Sequence, residues 1–559
     1  MKRMLSLLAL LTAFSLAAQV RFSNPVLHQD YSDPDVCRVG EDYYMTASSF
    51  NCFPGLPVLH SRDLVNWEPV GAALADYPCD GTDDFHTSVQ HGNGVWAPAI
   101  RYHEGWFYIF CGDPDRGIFM VRTRDPRGSW EPPVWLVRGK GLIDPCPFWD
   151  EDGNAYLSHA LAGSRAGLKS VIYVAPMAPD GTSLLGPSRL VFDGHATQPT
   201  IEGTKFYKRG RYYYIFAPAG GVATGWQAVL RSAHPYGPYE DRVVMAWAPG
   251  TVNGPHQGAW VDTPSGEDWF LHFQDKGAYG RIVHLQPLRW RSDGWPLIGE
   301  DPDGDGVGQP VQGGTVGLKS DAGDSAVSCP GPYGLGLEWQ YPAVPSLTWH
   351  RALPEGGVRL YSVLQDTPDG GLWDCRNLLL RKFPAQDFTV TARLVFRPNP
   401  QLPEGGEQAG FVVMGNSYAG LRLTDHKDGA MLELLACEGA DKGGREVTER
   451  LADYGYSFEK QVFPYSSGNV PAVSYPDRPL LALWVRLEVK ARPVEGNVPE
   501  AVCRFSYSRD GKRFTPAGEA FTARPESWIG AKFGFFCNRP VPRNDAGWLD
   551  VEKLEVKAR

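Results

Sequence analysis

The chain has 559 residues, more than one compact core holds, so two or more domains are expected. Its 54 basic and 64 acidic residues give a net charge of −10 with no concentrated basic patch, which argues against a nucleic-acid binder. With 18 Trp, 63 Gly, 47 Pro and no long helical period after the N-terminus, the composition favours short strands and turns.

Residues 1–19 carry two positive charges, an apolar run and small residues around Ala17 and Ala18, the pattern of a secretory signal peptide. The run is short for a spanning helix, and no later stretch is long and apolar enough to cross a membrane. Cys37 is the first cysteine, so a lipid anchor is not indicated. The mature protein is expected to be exported, periplasmic or secreted, and soluble.

From residue 33 one layout recurs: a lead residue, a short strand, a polar turn and an aromatic-rich strand. Asp33-Pro-Asp-Val-Cys-Arg-Val-Gly-Glu-Asp-Tyr-Tyr opens the series, and copies begin at Trp96, Asp144, Glu202 and His256. The steps between leads are 63, 48, 58 and 54 residues, the period of a propeller with four strands per blade. Five copies predict a five-bladed β-propeller over residues 20–300. The copy at Glu202 is the most explicit. A strand runs to Tyr207, a basic turn covers 208–211, and a second strand starts at Tyr212. Residues 48–57, between copies, read as a loop that offers Phe50 and Phe53 as pocket walls, with ordinary inter-strand packing as the plain alternative. Residues 76–93, with Asp83-Asp-Phe-His86, read as an inserted loop.

Past residue 300 the repeat stops. Asp301-Pro-Asp-Gly-Asp-Gly-Val-Gly308 has the composition of a calcium loop but no glutamate at the required downstream spacing, so residues 301–332 read as a Gly/Asp linker. Residues 333–559 alternate apolar and polar in short strands, among them 388–396, 409–415, 481–489 and 532–537. Two stacked sheets forming a jelly-roll β-sandwich are expected. Of the ten cysteines, most lie within strand patterns beside large apolar side chains, which favours free buried thiols. No close Cys/His spacing suggests a structural zinc.

In a propeller the innermost strands start at the central channel, so the five leads should meet at one end of it. Three carboxyl groups, an indole and an imidazole would then share a pocket. Like charges forced together persist mainly where their separated pKa values are used. Carboxylates with aromatic walls suit carbohydrate: hydroxyls for the acids, C–H faces for the rings. Glycoside cleavage needs one protonated carboxyl and one ionised carboxylate across the bond.

The motifs also resemble those of a known family. Asn24-Pro-Val-Leu and Tyr31-Ser-Asp-Pro-Asp-Val resemble the opening of glycoside hydrolase family 43. Trp96-Ala-Pro98, Asp144-Pro145, Glu202-Gly203, Asn253-Gly-Pro-His-Gln257 and Gly280-Arg281 follow in that family's order. The C-terminal half looks like the concanavalin A-like sandwich attached to its β-xylosidases. The resemblance implies an inverting hydrolase with Asp33 as general base, Glu202 as general acid and Asp144 as the carboxylate that orients that acid and raises its pKa. An inverting pair stands about 6.5–9.5 Å apart. It further implies substrate contacts from Trp96, Arg281, His256, Phe53 and Phe50. His256 matches an axial histidine often near a calcium ion or ordered water, so Ca2+ is an expectation there and no cofactor is required. The expected partner is a xylo- or arabino-oligosaccharide, with β-xylosidase favoured over α-L-arabinofuranosidase or a bifunctional enzyme. Nothing in the sequence assigns an oligomeric state. A sugar-binding propeller lectin and a retaining enzyme acting on fructosides are the competing readings. The first would not need all three acids, and the second would need a pair about 5–5.5 Å apart.

Overall fold

The computed structural model describes residues 18–78, 85–247, 252–318, 331–365, 371–400, 405–426, 428–459, 478–496, 498–542 and 544–559. The expected signal segment through residue 17, the Asp83–Asp84 part of the inserted loop, Cys79, Cys329 and residues 319–330 of the expected linker lie outside the described residues.

Five antiparallel sheets of four strands follow one another along the chain. Their innermost strands are Asp35–Val39, Trp96–His103, Leu142–Trp149, Lys205–Arg209 and His256–Asp262. Each sheet is a run of hairpins, because aromatic and β-branched residues alternate with Gly- and Asp-rich turns. The hairpin after Glu202 pairs Lys205 with Phe216 and Arg209 with Tyr212, so its turn is tighter than the basic run suggests. The apolar cores lie between neighbouring blades. Phe216, Phe270 and Trp295 join the fourth and fifth, and Val36, Leu59, Leu271 and Leu285 join the first and fifth. Arg38 closes the ring by donating from Nε to Asp262 Oδ1 at 3.1 Å.

Part of the stretch expected as a linker is folded onto the propeller. Gly308 bonds the last strand of the fourth blade through Val244 and Ala246, and Gly313–Leu318 pairs antiparallel with Ala18–Ser23. The Asp301 carboxylate accepts the backbone N–H groups of Gly304 and Gly306. The loop thus closes on its own amides, the ordinary use of Asp in tight turns.

The C-terminal domain packs an eight-stranded sheet on a seven-stranded one. The strands expected at 388–396, 409–415, 481–489 and 532–537 are Phe388–Arg397, Gln408–Met414, Arg478–Arg492 and Lys532–Arg539. The last two belong to opposite sheets, and their inward residues share one core with Tyr279 of the propeller. The eight described cysteines are buried and free. No helix among the described residues is long and apolar enough to cross a membrane.

Candidate active site

At the head of each inner strand one residue has a positive φ: Asp33 (55°), Ala97 (36°), Asp144 (58°), Gly203 (64°) and Gln257 (35°). Such backbone costs about 1–3 kcal/mol at a non-glycine residue and gathers at functional sites. The hairpin register slips at Trp96/Ala99, Ile143/Cys146 and His256/Gly258. Strand alternation is therefore broken, and two successive residues reach one cavity: Trp96 with Ala97, Ile143 with Asp144, His256 with Gln257. The five leads do meet, but they are not equivalent. Asp33 and Asp144 occupy the positive-φ position, whereas Trp96, Glu202 and His256 precede it by one. In the fourth blade that position must be glycine, since a Cβ there would lie 2.7 Å from Pro218 Cδ.

The cavity has a volume of about 370 Å3 and is lined by Asp33, Asp144, Glu202, Trp96, His256, Arg281 and Phe50. Asp33 is surrounded by donors. The hydroxyls of Ser32 (2.9 Å) and Ser48 (2.5 Å) donate to Oδ2, and Arg281 Nη1 donates to Oδ1 at 3.1 Å. Asp144 is buried, and its Oδ2 accepts the Gly203 N–H at 2.6 Å. Glu202 keeps 28% of its side chain exposed into the cavity, and its Oε1 lies 3.8 Å from His256 Nε2, beyond a hydrogen bond.

The electrostatics separate the acids. Burial, then the charges of Asp144 and Asp33, push the Glu202 carboxyl well above the usual carboxylate range. Its exposure to the cavity moderates the burial contribution. Asp144 is raised too, by burial first, with the Gly203 N–H opposing and Asp33 adding to the rise. Both acids therefore favour the protonated form more than either would in water. His256 is buried, and burial followed by the Arg281 charge lowers it to about 3, so it is a neutral imidazole.

Phe50 lines the cavity, with its ring 6.4 Å from that of Trp96. Phe53 does not. It is fully buried, bonds Tyr341 of the sandwich through its backbone, and packs its ring edge-on against Tyr77 and Phe85. The chain turns at Phe50, which has φ 52°, and carries Phe53 away from the cavity into the domain interface. As for calcium at His256, both ring nitrogens are buried without a hydrogen-bond partner among the described residues. Calcium takes six to eight oxygen ligands. One imidazole does not supply that set, and among the described residues no three His, Cys, Asp or Glu side chains form a metal site. The residues present do not fit a protein-built calcium site.

Sequence reasoning missed Trp528 and Gln257. Trp528 comes from the sandwich, has φ 68°, is 49% exposed, and sets its ring edge-on to Trp96 at 6.1 Å. Nothing in the local sequence marks it, because its role comes from the docking of the second domain. A larger cavity, about 610 Å3, lies at the opposite ends of the inner strands. Its carboxylates are already engaged, Asp262 by Arg38 and Asp268 by the Trp260 indole, so it holds no comparable acid cluster.

A five-bladed propeller with three carboxyl groups and aromatic walls at one end of its channel is the architecture of a glycoside hydrolase. Residues 22–296 match the model of glycosyl hydrolases family 43, and residues 332–557 match that of the β-xylosidase C-terminal concanavalin A-like domain. The chain belongs to glycoside hydrolase family 43. A Xylanibacter ruminicola protein that carries the name "putative beta-xylosidase" is 35% identical over 514 residues, covering 90% of this chain and 84% of its own. A non-reducing end α-L-arabinofuranosidase of Bacteroides ovatus is 30% identical over 441 residues, 73% of this chain and 77% of its own. Among solved structures, a xylan β-1,4-xylosidase of Bacillus halodurans superposes with a TM-score of 0.75 over 96% of this chain and 100% of its own. At 21% identity that likeness speaks to the fold.

Proposed function

We propose that this family 43 hydrolase is an inverting, exo-acting enzyme that releases pentoses from hemicellulose oligosaccharides, with xylan 1,4-β-xylosidase activity as its main reaction. The observation that carries the reading is the unequal setting of two carboxyls in one cavity. Asp33 is ringed by donors, whereas Glu202 carries no hydrogen bond to its carboxyl within the described structure and is pushed up by burial and by Asp144. Asp33 then acts as general base. It takes a proton from water as the water oxygen bonds to the anomeric carbon. Glu202, protonated near neutrality, gives its proton to the glycosidic oxygen as the bond between that oxygen and the anomeric carbon breaks. Asp144 acts through Glu202 by keeping its proton on. Arg281 fixes the orientation of Asp33, and Trp96, Phe50 and Trp528 offer ring faces and edges to the sugar. No cofactor enters these steps. Residues 1–19 would direct the enzyme out of the cytoplasm, to where hemicellulose oligosaccharides are met.

The similarity to an arabinofuranosidase over most of the chain favours α-L-arabinofuranoside as a second substrate. Matched nitrophenyl β-D-xyloside and α-L-arabinofuranoside, with product anomers followed by NMR, test the proposal. Faster xyloside cleavage that yields α-xylose first is expected. β-Xylose as first product would refute inversion, and binding without hydrolysis would point to a lectin.

A further inference from the structure

Asp30 lies outside the cavity yet joins two of its walls. It is buried, and each carboxylate oxygen accepts one backbone N–H. Oδ1 takes that of Arg281 at 2.9 Å, and Oδ2 takes that of Gly530 at 2.9 Å. The first belongs to the residue whose guanidinium holds Asp33. The second lies two residues beyond Trp528, in the sandwich strap that walls the cavity.

The three segments interlock without spare room. A Cβ on Gly280 would lie 2.4 Å from Asp30 Cγ, and one on Gly530 would lie 2.6 Å from the Gly280 nitrogen. Next along the strap, the Ala531 N–H donates to the Ala278 carbonyl at 2.8 Å. The sandwich also brings a buried lysine, Lys532, and a half-buried one, Lys382, whose charges feel Asp30. Lys382 lies over the Tyr31 ring at 3.6 Å, and Lys532 Nζ is 2.8 Å from Cys52 Sγ. A carboxylate that accepts two amides from separate domains fixes their mutual position, because losing it leaves buried N–H groups unpaired.

We propose that Asp30 is a positioning residue through which the sandwich domain sets both the Trp528 wall and the Arg281–Asp33 pair. The proposal rests on the hydrolase reading for its kinetic consequence, but not for its structural one. Asn keeps the size of Asp30 and only one acceptor oxygen, so Asp30→Asn must release one of the two amides.

The test uses the full chain as Asp30→Asn, Trp528→Ala and the double variant, with kcat and KM on xylo-oligosaccharides and amide hydrogen exchange over 278–282 and 526–531. Asp30→Asn is expected to lower kcat/KM about tenfold and to speed exchange in at least one of those segments. In the Trp528→Ala background its cost should shrink to about threefold, the part carried by Arg281. Unchanged exchange in both segments, or losses that simply multiply in the double variant, overturn the proposal. If Asp30→Asn does not fold, Gly530→Ala takes its place, since it pushes the strap off Gly280 and disturbs the Gly530 N–H bond to Asp30 while the carboxylate itself is kept. Wild-type kinetics in that variant also overturn the proposal. If the wild-type enzyme cleaves no glycoside, the hydrolase reading fails, and the exchange measurements still decide the role of Asp30.

Discussion

Replacing Asp144 by Asn tests the division of labour among the acids most directly. Asn can present its carbonyl oxygen to the Gly203 N–H, so the 2.6 Å contact and the strand geometry survive while the negative charge is lost. A charge within about 4–6 Å shifts a carboxyl pKa by about 1–3, and the Asp144 charge acts upward on Glu202. Two features put the effect at the low end. Glu202 is 28% exposed, which screens the interaction, and Asp144 is itself raised, so it carries its full charge only towards alkaline pH. The expected change is a fall of about one unit in the upper pKa of kcat/KM, equivalent to about 1.4 kcal/mol. The sign follows from the role. As the proposed proton donor, Glu202 works only while protonated, so a lower pKa moves the alkaline limb to lower pH. The assay is the pH profile of kcat/KM on an aryl xyloside. Activity on the alkaline side should drop up to about tenfold, with a smaller loss below neutrality. An unmoved upper limb with near-normal activity would refute the reasoning and leave Asp144 with a structural role.

Glu202→Ala removes the proposed proton donor, so substrates with good aryl leaving groups should lose far less rate than xylo-oligosaccharides; equal losses would count against Glu202 as the acid. Azide should restore turnover to Asp33→Ala better than to Asp144→Ala, because a small anion can stand in for the base-activated water; product analysis for glycosyl azide checks it. Glu202→Gln should stabilise the fold by roughly 1–2 kcal/mol at pH 8 and hardly at pH 4, read as Tm at the two pH values. Between the unfolded value of about 4.3 and its raised native value, Glu202 binds a proton in the native state alone, so it makes stability fall as pH rises. Phe53→Ala should cost about 3–5 kcal/mol of stability with little change in KM, whereas Trp528→Ala should raise KM for oligosaccharides with little change in Tm.

The propeller was legible because its repeat is local. Each blade is a contiguous run of hairpins, and aromatic pairs after polar turns mark four of the five without reference to anything distant. The acid cluster followed from that repeat plus channel geometry. The one-residue offset among the leads was not legible, because it lies in φ. Proline or glycine after the strained residue (Pro34, Pro98, Pro145, Gly258) is a faint signal, and Thr204 breaks even that. Phe50 and Phe53 were indistinguishable in sequence, since a loop phenylalanine beside a channel and one in a domain interface look alike until the turn at Phe50 is known.

Trp528 and Asp30 illustrate a different limit. Both act across contacts between residues roughly 250 to 500 positions apart in the chain, Asp30 with Arg281 and Gly530, Trp528 with Trp96. Pattern reading along one strand carries no information about such pairs. The strained backbone at Trp528 and the glycines that let the two domains touch have a common cause: the sandwich must reach an axial cavity already enclosed by five blades. Its reach ends in one indole edge-on to Trp96 and one N–H on a buried carboxylate. A second domain docked this closely supplies a wall of the candidate site, and the core it shares with Ala278 and Tyr279 holds that wall beside Gly280 and Arg281.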